Sequence, residues 1–340
     1  MGMRKRFAAV PLAVMLAGAV GVTALHADSR GQVRPLRILL TNDDGVTAGG
    51  AYFTTLRDTL CNAGHQVTIV ADSTDQSGNG TRFTTARGAT LSYATSTFAC
   101  GSGTGTQYAL SASTPANASP ADAVMFGIKV VFAGAAPDLV VSGMNPGGNY
   151  GNVTNHSGTV GAAVTAVELG VPAIAMSIEF DAVDATKLAV PGDPRTVFAG
   201  AQAARPAAAG YVVSLIQRLQ ETQKKNEPLV PGNGALNVNW PITYDSTNTN
   251  VVPPAGAAIT TVGAGESVTI NYTATATPGT YNLALGLCNL PSPCAAETRE
   301  GADTTAINAN LISITPLDGD WSAPKPDKVL AKRLGDLITN

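Results

Sequence analysis

Ile38-Leu39-Leu40-Thr41-Asn42-Asp43-Asp44-Gly45 is a short apolar run that stops at two adjacent carboxylates. Apolar and branched residues favour a buried strand, whereas Asn, Asp and Gly adopt turn dihedrals that a strand does not use, so the acids are expected at a strand tip. Two neighbouring carboxylates repel unless a cation lies between them, and hard oxygen ligands suit Mg²⁺, Mn²⁺ or Ca²⁺ better than Zn²⁺. Taken alone, Asn42-Asp43-Asp44-Gly45 reads as a solvated Asx turn before it reads as a metal site. The surrounding chain bears on the choice.

Downstream, Phe53, Leu56 and Leu60 recur at helical steps within residues 49–63, Gly64 is placed to end the helix, and Gln66 to Ala71 forms a second apolar run. Strand, helix and strand in so short a span make a βαβ unit with parallel strands and a right-handed crossover, which sets the strand ends side by side. The polar loop 72–81 then projects over Asp43 and Asp44, where a Ser hydroxyl or a carbonyl could complete a metal shell. Pro137 to Ser142 is a third strand with a glycine-rich tip, residues 143–152, in which Asn145 offers a neutral oxygen. His156-Ser157-Gly158-Thr159 opens a small-residue helix through Leu169, closed by Gly170, and Pro172 to Ser177 is a fourth strand. That helix start is either a phosphate site made of free N–H groups and hydroxyls or a simple N-cap. Ligands of open parallel sheets bind outside the carboxyl ends of the strands, where these loops converge.

The remaining segments carry less chemistry. Thr90 to Tyr93 and Gln107 to Leu110 are expected strands around a turn at 102–105, Ser111 to Pro120 a Ser/Ala/Pro-rich insertion, and Asp122 to Val131 a helix. Residues 195–226 predict an Ala-rich helix interrupted at Pro206; Leu236 to Trp240 and Leu311 to Pro316 predict strands; residues 245–295 predict hairpins. An amphipathic helix, Pro326 to Ile338, is expected to dock on its own domain or on a partner subunit.

With 340 residues, 44% hydrophobic and only 13% charged, the chain can bury a full core and is too apolar to be disordered. Arg4-Lys5-Arg6, the apolar stretch from Phe7 to Val22 and the small residues before Ala27 read as a secretory leader over residues 1–27. The stretch is short for a membrane span and is broken by Pro11, so no stable membrane anchor is expected and the mature protein is placed in the periplasm or outside the cell. Loss of the leader removes three of the 21 basic residues and no acid, leaving 24 acids over 18 bases, which excludes a nucleic-acid polymer held by its phosphates. Cys61, Cys100, Cys288 and Cys294 suit disulfides in that compartment; the short spacing favours Cys288 with Cys294, leaving Cys61 with Cys100. No Gly-x-Ser-x-Gly elbow supports serine chemistry.

Leu40-Thr41-Asn42-Asp43-Asp44-Gly45, Gln76-Ser77-Gly78, Ser142-Gly143-Met144-Asn145 with Gly148-Asn149-Tyr150-Gly151, and Ser157-Gly158-Thr159-Val160 together resemble the SurE family of survival-protein nucleotidases and phosphatases over residues 36–180. Leu236-Asn237-Val238-Asn239 and Ser313-Ile314-Thr315-Pro316-Leu317 look like its later landmarks. The resemblance implies a Rossmann-like three-layer α/β/α fold with a mostly parallel sheet and a β-hairpin-rich C-terminal extension. It makes residues 28–340 one phosphatase domain, with a core at 36–180 and a β-rich and helical part at 230–340. It further implies a homodimer or homotetramer with exchanged C-terminal elements, and metal-dependent hydrolysis of small phosphomonoesters, nucleoside 5′- or 3′-monophosphates above all, by a metal-activated water. By position, Asp43, Asp44, Ser77 and Asn145 would hold the divalent cation, Mg²⁺ or Mn²⁺, and Asn42, Gly143, Asn149, Ser157, Gly158 and Thr159 would surround the phosphate beside Asp43. His156, Pro146 and the 111–120 insertion depart from the family pattern, departures that bear on the substrate. The rival reading from another class is an exported protein that binds a phosphorylated ligand without turnover.

Overall fold

The computed structural model describes residues 34–320 except 49, 114–116, 180–198, 248 and 288–294, all belonging to one compact unit. The leader, Cys288 with Cys294, and the 326–338 helix lie outside the described residues.

β1 (Arg37–Thr41) is buried on both faces, as its unbroken apolar run requires. It leads through the short turn α1 (Gly45–Ala48) and α2 (Gly50–Asn62) to β2 (Gln66–Asp72), which pairs parallel to β1 with Arg37 opposite Gln66. β3 (Leu91–Cys100) and β4 (Gly103–Ala112) follow, then α3 (Pro120–Phe126), β5 (Leu139–Pro146), α4 (Gly158–Glu168), β6 (Ala173–Ile178), α5 (Ala199–Thr222) and β7 (Ala235–Trp240). β8 (Thr243–Tyr244) and β9 (Val251–Val252) form a small hairpin, and β11 (Val268–Ala274) and β12 (Tyr281–Leu287) a longer one. β10 (Gly256–Ile259), α6 (Asp303–Asn308) and β13 (Leu311–Leu317) complete the order.

Across the main sheet the strands run β10-β13-β7-β6-β5-β1-β2-β4-β3, and the six from β7 to β4 are mutually parallel. Strand alternation divides the core: Ile38 and Leu40 face α2 and α5, and Leu39 faces α3 and α4. Together they form the expected three-layer α/β/α arrangement.

Several boundaries differ from expectation for physical reasons. β3 and β4 pair along their full ten-residue lengths, from Leu91 with Ala112 to Cys100 with Gly103, so the turn contracts to residues 101–102. Ser111 accordingly belongs to β4, and Ser119 and Pro120 open α3: Ser119 Oγ accepts from Asp122 N at 3.1 Å while Asp122 Oδ2 accepts from Ser119 N at 2.9 Å, a reciprocal cap of about 1 kcal/mol. β5 continues past Ser142 into the glycine-rich tip, because β6 pairs with it as far as Pro146 across a bulge. α5 is not interrupted at Pro206; Ala201, Ala204, Ala208, Val212 and Ile216 bury one face, which offsets the missing N–H. β10 joins the main sheet rather than a hairpin, and the six-residue helices at 151–156 and 303–308 carried too little periodicity to be foreseen.

Cys61, at the end of α2, is disulfide-bonded to Cys100, at the end of β3, as expected. The bridge ties the edge hairpin to the core helix layer. Closing a loop of 39 residues in the unfolded chain corresponds to about 4 kcal/mol of loop entropy. Replacing both cysteines by alanine is expected to lower the guanidinium unfolding midpoint by most of that amount, with the Cys288→Ala/Cys294→Ala variant measured alongside; an unchanged midpoint would show that the bridge is stabilisingly idle.

Candidate active site

From β1 the chain moves to β2 on one side and later returns to β5 on the other, so the strand order reverses between the carboxyl ends of β1 and β5. Such a reversal opens a crevice between diverging loops. Asp43 and Asp44 stand at that point, 3% and 2% exposed, so the solvated Asx turn is excluded.

Asp43 is held by the first turn of α4. Thr159 Oγ1 donates to Oδ1 at 2.8 Å and Thr159 N to Oδ2 at 3.1 Å. Gly158 permits this approach, since a Cβ there would lie 2.7 Å from Asp43 Cβ and 3.1 Å from Pro120 Cγ. Ser157 is the N-cap, its Oγ accepting from Val160 N at 3.1 Å. The donors of this helix start are therefore divided: Thr159 serves Asp43, Val160 serves Ser157, and Gly158 N–H has no acceptor among the described residues.

Burial pushes the Asp43 carboxyl above its ordinary range, the Thr159 bonds oppose this, and the Asp75 charge adds to it. No basic side chain pairs with Asp43 among the described residues. Asn42 Nδ2 donates to Gly45 O at 3.3 Å, while Asn42 Oδ1 is buried without a partner among the described residues. Thr41 Oγ1 and Ser142 Oγ, on opposed residues of β1 and β5, are likewise buried and unpartnered among the described residues. An excess of oxygen acceptors around a buried anion is the donor chemistry of a hard cation. Among the described residues no three His, Cys, Asp or Glu gather as ligands, so a cation here would rest on two acids and neutral oxygens.

The loop after β2 is fastened to this point by Gln76 N donating to Asp43 O at 2.7 Å, and Gly80 N donates to His156 O at 3.1 Å. Ser77 sits on that loop, exposed, its N–H on Asp75 Oδ1 at 2.9 Å. Asn145 lies at the β5 bulge, Nδ2 donating to Gly147 O at 2.7 Å, and its Oδ1 takes no hydrogen bond among the described residues. Gly143 takes φ +121°, and a Cβ there would lie 2.3 Å from Met176 O, so the tip requires glycine. His156 is exposed and contributes its carbonyl. Direct contacts join Asp43, Gly158 and Thr159; Ser77 is placed by the loop after β2, and Asn145 and Asn149 by the β5 tip, on the same edge of the sheet.

Asn149 belongs to a network whose other members sequence reasoning did not assign to the site. Its N–H donates to Asn239 Oδ1 at 2.7 Å, its carbonyl accepts from Asn237 Nδ2 at 2.7 Å, and its Nδ2 donates to Ser177 Oγ at 2.9 Å. Asn149 Oδ1 and the second Nδ2 hydrogen take no partner among the described residues. The signal lay in Leu236-Asn237-Val238-Asn239-Trp240, where two amides alternate through a strand that is buried throughout. Buried amides need hydrogen-bond partners, and these two find theirs on the backbone of Asn149.

The sequence profile described as Survival protein SurE matches residues 38–268. The chain belongs to the SurE family. It is 34% identical over 194 residues to "5'-nucleotidase SurE 1" of Burkholderia lata, covering 53% of this chain and 62% of that protein. It is 42% identical over 150 residues to "5'-nucleotidase SurE" of Desulfitobacterium hafniense DCB-2, covering 44% and 54%. The chain thus spans a little over half the length of these SurE relatives. The SurE protein from Aquifex aeolicus, known from its crystal structure, superposes with a TM-score of 0.59 over 88% of this chain and 99% of that one, at 23% identity, which establishes the shared fold.

Proposed function

We propose that this SurE family member is an exported, metal-dependent phosphomonoesterase acting on nucleoside monophosphates. The observation that carries the reading is the buried Asp43 carboxylate, fixed by Thr159 at the topological switch point with no basic partner among the described residues, beside strand ends that carry the unpartnered oxygens of Thr41, Asn42 and Ser142. Relatives named 5'-nucleotidase SurE support the substrate class.

Asp43, Asp44, Ser77 and Asn145 would hold Mg²⁺ or Mn²⁺, which when bound neutralises phosphate charge and lowers the pKa of a water. The chain's own groups supply orientation. The free Gly158 N–H at the start of α4 and the open amide of Asn149 are donors for phosphate oxygens, charge-assisted bonds at a helix N-terminus. Thr159, on this geometry, positions Asp43 rather than the phosphate, and Asn42 shapes the turn that carries both acids. Export is supported by the leader pattern and by the Cys61–Cys100 bridge, which suits an oxidising compartment. Assembly into a homodimer or homotetramer is supported by the exposed apolar face of the β11–β12 hairpin, with Ile270, Tyr272, Tyr281 and Leu283 all more than half exposed.

Purified mature protein is expected to release phosphate from p-nitrophenyl phosphate and from AMP with added Mg²⁺ or Mn²⁺, and to lose that activity in EDTA. Binding of phosphate without release, across pH 5 to 9 and several divalent cations, would replace the enzyme with the non-catalytic binding protein.

A further inference from the structure

We infer that Asp303, outside the motifs that define the site, is a positioning residue for Asn149, acting through the Gly151 corner. The inference rests on the proposed role of Asn149 at the phosphate.

Asp303 opens α6 and is fully buried. An acid in the first turn of a helix ordinarily caps its own N–H groups. Here one oxygen, Oδ1, accepts from Thr304 N at 2.8 Å, from Gly263 N at 2.8 Å and from Gly151 N at 3.1 Å, so two of its three bonds reach other segments. Oδ2 is buried with no hydrogen-bond partner among the described residues, a cost that capping alone would not require. Burial accordingly raises the carboxyl above its ordinary range against the three N–H bonds.

The segment that Asp303 grips is the far end of the Asn149 loop. Gly151 adopts φ +60°, and a Cβ there would stand 2.3 Å from Gly265 O, so the corner fits only as glycine pressed against the 263–265 turn. Asn152 N donates to Gly265 O at 3.0 Å, and Ser267 Oγ donates to Tyr150 O at 3.1 Å. That turn is itself fixed by Glu297, whose Oε2 accepts from Ala264 N at 2.9 Å, Gly265 N at 2.8 Å and Thr304 Oγ1 at 2.6 Å. Desolvation opposes the Glu297 charge, but the bonds from Thr304 Oγ1 and from the Arg299, Gly265 and Ala264 N–H groups outweigh it and lower the carboxyl pKa to about 2. Asn149 is thus pinned from the sheet by Asn237, Asn239 and Ser177, and two residues later from the C-terminal part by Asp303. Tyr150 OH also donates to Glu179 Oε1 at 2.6 Å, so Asp303 makes the buried bond that seats the backbone of the corner, and its loss loosens the segment after Asn149 while the sheet-side bonds remain.

The test combines kinetics on p-nitrophenyl phosphate with peptide-level hydrogen exchange, using Asp303→Ala, Asp303→Asn, Asn149→Ala and the Asp303→Ala/Asn149→Ala double variant. Asp303→Ala is expected to lower kcat about tenfold with KM within twofold, and Asp303→Asn, whose amide oxygen can take the place of Oδ1, to recover most of it. In the Asn149→Ala background the Asp303→Ala change is expected to have no further effect, the non-additivity of two residues acting through one group. Exchange should rise in 147–152 and 261–267 while β1 and β5 keep wild-type protection. Additive losses, or unchanged exchange in 147–152, overturn the inference. Should the wild type not hydrolyse phosphomonoesters, the proposed function fails, and the exchange experiment still decides whether Asp303 holds the loop. Should Asp303→Ala not fold, Glu297→Ala loosens the same turn from its half-buried side, and unchanged kcat and exchange there overturn the inference equally.

Discussion

Asp43→Asn is expected to reduce turnover by about 10²–10³-fold, the scale of losing one preorganised electrostatic group, while leaving the fold intact. The amide is isosteric, and rotation of the Thr159 hydroxyl lets its Oγ1 accept from the new Nδ2 while the remaining oxygen accepts from Thr159 N. Both contacts therefore survive the substitution; only the charge is removed. Because Asp43 is buried without a basic partner among the described residues, its charge costs solvation energy that the neutral amide does not. The variant should melt at or above the wild-type temperature in EDTA while losing activity in Mg²⁺ or Mn²⁺, the trade of stability for function seen where a site stores an unfavourable charge. Thermal denaturation paired with initial rates checks both halves. Wild-type turnover would remove Asp43 from the chemistry, and a collapse of the melting temperature would make it a structural residue.

The elements that carry the site were legible because each is local. Ile38 to Gly45 announces a buried strand and its tip, residues 49–71 complete the parallel unit, and 156–170 carry an N-cap, a small-residue helix and a terminating glycine. Sequence also placed the polar loops on one edge, since parallel strands put their carboxyl ends together. It did not show what each donor of the α4 start is used for: whether Thr159 faces a phosphate or a carboxylate depends on the distance between α4 and β1, residues separated by 116 positions. The same holds for Asp303 and Gly151, 152 positions apart. Alternating amides in Leu236 to Trp240 were visible, but an alternating polar strand ordinarily turns its polar face to solvent, and only the sheet order shows β7 buried between β6 and β13. Contacts of long sequence separation are where pattern reasoning ends.

Gly158→Ala tests that distance directly. In an ordinary helix the change would stabilise by about 1 kcal/mol, because alanine is the better helix former. Here the new methyl would stand 2.7 Å from Asp43 Cβ, 3.0 Å from Asp43 Oδ2 and 3.1 Å from Pro120 Cγ. None of these is the far end of a flexible chain. Asp43 Cβ is tied to the β1 tip, and Pro120 is fixed at the start of α3 by the Ser119–Asp122 cap. Relief requires α4 and the Asp43 tip to separate by about 1 Å, the gap between a clash and ordinary van der Waals contact. That displacement lengthens both Thr159 bonds to Asp43 and withdraws the free Gly158 N–H from the crevice. Misplacement on this scale costs about 10²-fold in rate even where no reacting group is removed. Gly158→Ala should therefore lose activity about as severely as Asp43→Asn, but with a lowered rather than raised melting temperature, since its Thr159 bonds and α3–α4 packing are strained instead of relieved. Opposite stability shifts with similar kinetic losses would separate the charge of Asp43 from its placement. A Gly158→Ala protein with wild-type kcat would show that turnover does not depend on the α4 start being seated against β1.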